Sequence, residues 1–94
     1  MNENRIIETA LVCFGIDKQR IKCIEEMSEL QKELCKSALG RGNFFNLADE
    51  IADVIITVKQ MIKHYDVADL VKERYEYKLE RLAGQLNMTE DEWR

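Results

Sequence analysis

Two short acidic stretches carry the residues best suited to chemistry. The first is EEMSEL, Glu25 to Leu30, and the second is DEIAD, Asp49 to Asp53. Each sets two acids three residues apart among apolar neighbours: Glu26 with Glu29, and Glu50 with Asp53. At helical spacing such residues lie on the same side of the helix, so each stretch offers a pair of carboxylates. Two such pairs on neighbouring helices make an all-oxygen cage. Hard oxygen donors of this kind suit Mg²⁺ or Mn²⁺, and Mg²⁺ commonly takes its remaining ligands from substrate phosphates. Carboxylate-bridged iron bundles instead combine Glu with Glu-x-x-His, and no His follows the acids here.

Acids on a helix are ordinarily a solvated face, and Glu29 with Lys32 or Glu33 with Lys36 fit that description. The two pairs differ from it in their neighbours. Four residues after Glu25, Glu26 and Glu29 stand Glu29, Leu30 and Glu33, and four after Glu50 and Asp53 stand Val54 and Thr57. None is basic, and clustered like charge is costly without a cation. The acids also border the apolar stripes, where a half-buried carboxylate needs a partner or becomes protonated.

The elements that must position these acids are helices. There is no proline, and the four glycines mostly fall between apolar-periodic segments. Apolar residues recur at spacings of three and four, and no useful β-type alternation is present. Asn2 or Asn4 is expected to cap a first helix reaching about Phe14, with Gly15 ending it. Asp17 is expected to cap a second helix through about Leu39, with Cys23, Met27, Leu30, Leu34 and Ala38 as its inward seam. After the loop LGRGNFF, Asn46 is expected to cap a third helix through about Tyr65. This is the most apolar helix, with Leu47, Ile51, Val54, Ile55, Val58, Met61 and Ile62 facing inward, and it is expected to be central. Asp66 is expected to cap a fourth helix through about Leu86, leaving a short tail in which Met88 and Trp93 are apolar. The expected fold is all-α, a bundle of four helices forming one domain over residues 1–94. The short loop makes the second and third helices antiparallel neighbours. Counted back from that loop, however, the first acid pair lies some three turns away and the second about one turn, a mismatch for a plain hairpin.

Bulk properties narrow the function classes. Ninety-four residues bury a limited core, so assembly that extends the core is expected. A net charge of -4 speaks against nucleic-acid and anionic-membrane partners, which require a basic patch. No apolar run approaches the ~20 residues of a membrane span. The N-terminus is polar and mixed in charge, unlike a signal peptide, and a cytoplasmic setting is expected. Cys13, Cys23 and Cys35 form no C-x-x-C pair, and an odd number fits free thiols acting as small buried apolar residues. His64 stands near a helix end, where its charge is favourable.

The pattern E-E-x-x-E followed some twenty residues later by E-x-x-D resembles the all-α nucleoside triphosphate pyrophosphohydrolases. That superfamily includes MazG, the dimeric dUTPases, the dCTP pyrophosphatases and phosphoribosyl-ATP pyrophosphohydrolase. The residues carrying the resemblance are Glu25-Glu26-Met27-Ser28-Glu29 and Glu50-Ile51-Ala52-Asp53, with a weaker likeness of KLERL, Lys78 to Leu82, to a K-x-x-R pattern. The likeness spans about residues 18–86 and is strongest to short MazG-like chains. It departs from them at Glu76, where that pattern commonly has Asn.

The resemblance implies a MazG-like helical bundle assembled as a homodimer or homotetramer. It implies Mg²⁺-dependent cleavage of a nucleoside triphosphate, with non-canonical and deoxy nucleotides among the candidates, between the α and β phosphates. Glu26, Glu29, Glu50 and Asp53 would hold the metal, with Mn²⁺ an alternative, and Glu25 would orient or deprotonate the attacking water. Lys78, Arg81 and Lys72 are candidates for phosphate contact, against the simpler reading of an exposed charged face. Phe44 and Phe45 are candidates for stacking on a base, or for packing under the loop. Two other functions compete: hydrolysis of phosphoribosyl-ATP in histidine biosynthesis, and a non-catalytic helical interaction module.

Overall fold

The computed structural model describes residues 1–94 and is all-helical, with no strand. Five helices follow one another: α1 (Glu3–Phe14), α2 (Ile16–Ala38), α3 (Phe44–Tyr65), α4 (Ala68–Gln85) and a single turn, α5 (Glu90–Trp93). The long helices lie where apolar periodicity places them. Their caps differ from expectation at three of four starts.

Asn2 caps α1 as expected, its side chain accepting from the Arg5 N–H at 3.1 Å. Gly15, at φ 84, turns the chain directly from α1 into α2, so Asp17 sits inside the first turn rather than capping it. The carboxylate is still favourable there, beside the positive helix end. Asn43, not Asn46, caps α3; its side-chain oxygen accepts from the Asn46 N–H at 2.8 Å. Phe44 and Phe45 therefore belong to the first turn of α3, both well exposed. Asp66 closes α3 instead of opening α4, in the left-handed conformation at φ 53 with the Val67 N–H bonded back to the Ile62 carbonyl at 3.2 Å. Asp tolerates that conformation better than a branched residue.

The register mismatch between α2 and α3 is resolved in the loop. α2 ends in a Schellman-type turn, with Gly40 at φ 72 and the Arg41 N–H donating to the Lys36 carbonyl at 2.9 Å. The chain then folds back along the last turn of α2. A Cβ on Gly42 would lie 3.1 Å from the Ser37 nitrogen, so any other residue would press the two backbones apart by a few tenths of an ångström. α3 consequently starts level with the last turns of α2, not beyond them. Glu33 and Leu47 line one small cavity there with Asn43. The register that sets Leu47 across from Glu33 sets Asp53 across from Glu26.

α2 and α3 form the antiparallel centre of the chain, and α1 leans on both. Glu3 binds Lys59 at 3.1 Å, and Glu8 approaches Lys63 at 3.8 Å. Across the far end, Arg20 donates to the Tyr65 hydroxyl at 3.0 Å. α4 touches the rest only marginally, at α3, and Ala83 is its one buried residue. The expected four-helix closure is thus not made within one chain. The apolar seams lie inside only in part: Cys23 is buried, and Leu30, Leu47, Val54, Met61 and Ile62 are half-buried. Met27 and Leu34 of α2 and Ile51, Ile55 and Val58 of α3 are exposed, whereas Gln19, Glu26, Glu33, Thr57 and Gln60 are buried. Of the cysteines, Cys23 is buried and Cys13 and Cys35 are exposed, so the thiols are not a uniform apolar set.

The α3 cap yields a direct test. Asn43→Ala should cost about 1 kcal/mol, the ordinary worth of a side-chain N-cap, while Asn46→Ala should change stability by less than about 0.5 kcal/mol. Urea unfolding of both variants at one fixed protein concentration measures the difference.

Candidate metal centre

Glu26 reaches the α2–α3 seam because it continues the stripe Gln19, Cys23, Glu26, Leu30 and Glu33, one residue per helical turn. Glu50 and Asp53 occupy the matching stripe of α3, followed by Thr57 and Gln60. Thr57 is satisfied locally, its hydroxyl donating to the Asp53 and Val54 carbonyls at 3.1 and 3.0 Å. Both bonds go to main-chain carbonyls and do not involve the Asp53 carboxylate.

Carboxylate oxygens of Glu26, Glu50 and Asp53 lie within 4.8 Å of one another. Glu26 is buried, and Glu50 and Asp53 are half-buried. One oxygen of Glu50, Oε2, is fully shielded and has no hydrogen-bond partner. A shielded lone pair without a donor is costly, so the position is suited to a cation or a proton. The electrostatics agree. Desolvation, then the charges of Glu26, Asp53, Glu29 and Asp49, push the Glu50 carboxyl up from its ordinary value. Asp53 is pushed up by desolvation first, then by Glu26 and Asp49 and by a hydrogen bond shared with Glu26.

Lys22 opposes this trend. It lies outside the forward spacings from the acids, because it stands four residues before Glu26, and it binds Glu26 at 2.9 Å. Its charge also acts on Asp53 in the direction that favours the carboxylate, and Glu26 in turn holds the Lys22 ammonium up. The cluster therefore contains one resident cation at its rim. One lysine cannot neutralise three carboxylates.

The other expected site residues are less gathered. Glu29 lies one turn from Glu26 and is half-exposed, its carboxylate bound to Lys32 at 3.2 Å; it reaches the cluster only through its charge on Glu50. Glu25 is exposed and faces away from the seam, beside Phe14, Lys18 and Lys22 in a shallow groove. Lys72, Lys78 and Arg81 are exposed on α4, which does not pack along α2. Glu33 is a buried carboxylate that the acid motif did not single out. It is bound by Lys36 at 3.1 Å, with its second oxygen unpartnered.

An all-oxygen set of three carboxylates from two helices, one with an orphaned buried oxygen, fits a hard divalent cation that retains open positions. No helix is long and apolar enough to cross a membrane. No family model, no curated protein and no solved structure matches this chain.

The raised acids have a definite pH signature. A carboxyl whose folded pKa lies above its unfolded value stabilises the fold at low pH, and that stability is lost as pH rises through the folded pKa. Without divalent cation, Glu50 and Asp53 should therefore make the melting temperature fall as pH climbs above the ordinary carboxylate range. Glu50→Gln should flatten that fall. Adding Mg²⁺ at neutral pH should restore the melting temperature of the unaltered chain and leave Glu50→Gln unmoved. At about a hundred times its Kd a bound ion stabilises by about 2.7 kcal/mol, an effect readily seen by calorimetry.

Proposed function

We propose that the chain is a Mg²⁺-dependent nucleoside triphosphate pyrophosphohydrolase. Water attacks the α-phosphorus, the α–β P–O bond breaks, and the products are a nucleoside monophosphate and pyrophosphate. The observation that carries this reading is the convergence of Glu26, Glu50 and Asp53 across the α2–α3 seam, with Glu50 Oε2 shielded and unpartnered. It is supported by the motif pair E-E-x-x-E and E-x-x-D, whose acids supply all three groups.

Glu26, Glu50 and Asp53 would hold the cation. When bound, Mg²⁺ supplies neutralisation of the triphosphate and acidification of the attacking water. Glu29, whose side chain is half-exposed and tied only to Lys32, is free to swing in as a fourth carboxylate. Glu25 faces solvent beside Lys22, away from the three clustered acids, and on this reading its part is to orient water rather than to ligate. Lys22 sits at the rim with its ammonium on Glu26, where it is available as a phosphate contact when substrate enters. Lys72, Lys78 and Arg81 on α4 are further phosphate contacts on this reading. The nucleotide is the partner, in place of nucleic acid or membrane, as the net charge of -4 favours.

The Lys22–Glu26 ion pair favours a second reading, a non-catalytic helical module whose acids are balanced by internal pairs. The two readings separate at Glu50. A pyrophosphate-release screen with Mg²⁺ over canonical, deoxy and modified triphosphates, and over phosphoribosyl-ATP, should find turnover in the unaltered chain. Glu50→Gln should lower it by at least about a thousandfold, in line with losing a group that acts on the transition state, while circular dichroism shows the helices intact. Undiminished turnover in Glu50→Gln would remove the carboxylate site as the catalytic centre.

A further inference from the structure

Between the carboxylate cluster and the α2–α3 loop, the seam holds a second buried acid that the cation site does not use. Glu33 is nine-tenths buried. Lys36 takes one of its oxygens at 3.1 Å, and the other, Oε2, is fully shielded and has no partner. A carboxylate only accepts hydrogen bonds, and a shielded oxygen left without a donor is costly. Glu33 lines a cavity of about 180 Å³ together with Ser37, Asn43, Phe44 and Leu47. That is smaller than the roughly 300–1,000 Å³ of a pocket for a whole small molecule, and closer to the room one planar ring system needs.

The neighbours of Glu33 complement its orphaned oxygen. Asn43 gives its side-chain oxygen to the Asn46 N–H, which leaves its amide nitrogen as a donor without a protein acceptor. Phe44, 87% exposed, presents an unpacked aromatic face at the rim. The cavity also lies at a useful distance from the acids. At 1.5 Å per residue, Leu47 is about 4.5 Å along α3 from Glu50, and Glu33 is about 10 Å along α2 from Glu26. A ribose fills such a gap between an α-phosphate on the cluster and a base in the cavity. Lys22, the one cation bound to the three acids, stands on the other side of Glu26, where the pyrophosphate end would run.

We propose that this cavity takes the nucleobase and that Glu33 makes it select guanine; the inference rests on the hydrolase reading for the nucleotide itself. Guanine sets two donors side by side on its pairing edge, N1–H and the 2-amino group, next to the O6 acceptor. Rotation of the Glu33 carboxylate about its last bond, a broad torsion, turns both oxygens to the two donors. Lys36, exposed over more than half of its side chain, moves off into solvent. The Asn43 amide donates to O6, and Phe44 stacks on the ring. Adenine and cytosine set their amino group beside a ring nitrogen whose lone pair repels a carboxylate. Uracil offers a single N–H between two carbonyls.

Calorimetric titration of the full chain with GMP, AMP, CMP and UMP in the presence of Mg²⁺ tests the assignment without requiring turnover. GMP should bind at least about tenfold more tightly than the other three, the effect of one charge-assisted hydrogen bond gained or lost. Glu33→Gln keeps the shape and removes an acceptor, and should bring that ratio below about threefold while circular dichroism shows the helices intact. Asn43→Asp keeps the oxygen that caps α3 and replaces the free donor with an acceptor, so it should weaken GMP more than the other three. Equal binding of all four, binding of none, or a GMP preference that survives both substitutions overturns the proposal. A GMP preference in a chain that releases no pyrophosphate upholds the pocket and removes the hydrolase reading alone. Turnover of the four triphosphates with like kcat/KM does the reverse.

Discussion

Three carboxylates cannot share a half-buried seam without positive charge or protons among them, and that constraint governs α2 and α3. Glu26, Glu50 and Asp53 are brought together by helix register, which is in turn set by the loop. Gly40 in the left-handed region and Gly42 pressed on Ser37 let the chain double back along α2, so α3 begins beside the last turns of α2. Lengthening or stiffening that return would slide α3 along α2 and separate the acids. The cost of crowding them is carried in the raised Glu50 and Asp53 carboxyls, only partly offset by Lys22.

A polar seam has a second consequence. A helix has one circumference, and the side of α3 given to Glu50, Asp53, Thr57 and Gln60 is not available to Ile51, Ile55 and Val58. Those residues face outward, and the hydrophobic effect that ordinarily closes a small bundle acts on surfaces that one chain leaves open. What holds the chain's own helices together is correspondingly modest: Ile7 and Cys23 in the interior, ion pairs of Glu3 and Glu8 with α3, and Arg20 on Tyr65. Exposed pairs of this kind contribute little each, which fits an α4 that stands away from its neighbours.

Much of this was legible in the residues, and the misses share causes. The four long helices and their approximate extents followed from the 3–4 recurrence of apolar side chains, a property of each segment alone, whereas the single turn α5 in the tail did not. The caps did not follow, because Asn43 and Asn46 are both good caps by type and only the backbone path around Gly40 and Gly42 selects the first. Asp17 lost its expected role because Gly15 joins α1 to α2 with no room for a separate cap. The acid cluster was readable from the two motifs, although Lys22 escaped notice because helical pairs run backward as well as forward along the chain. The direction of the apolar stripes was the deepest miss. Periodicity shows that Ile51, Ile55 and Val58 share a face, but it does not say whether that face meets the same chain or another one.

α3 is the element on which both constraints meet. One side bears the carboxylates, and the other bears the stripe that needs cover. The acids keep a separation fit for one cation only while α3 is held rigidly against α2, and a helix exposed along its whole apolar side is poorly held. Binding groups must be fixed to within about 0.5 Å to act together, a precision that comes from packing behind them. On this view the outward isoleucines and valine are the support for Glu50 and Asp53. Whatever fixes that side of α3 fixes the helix that aims both at Glu26. The seam's polarity and the exterior's hydrophobicity are then two halves of one arrangement, because the side of α3 that carries the acids cannot also carry the apolar packing that would stiffen it.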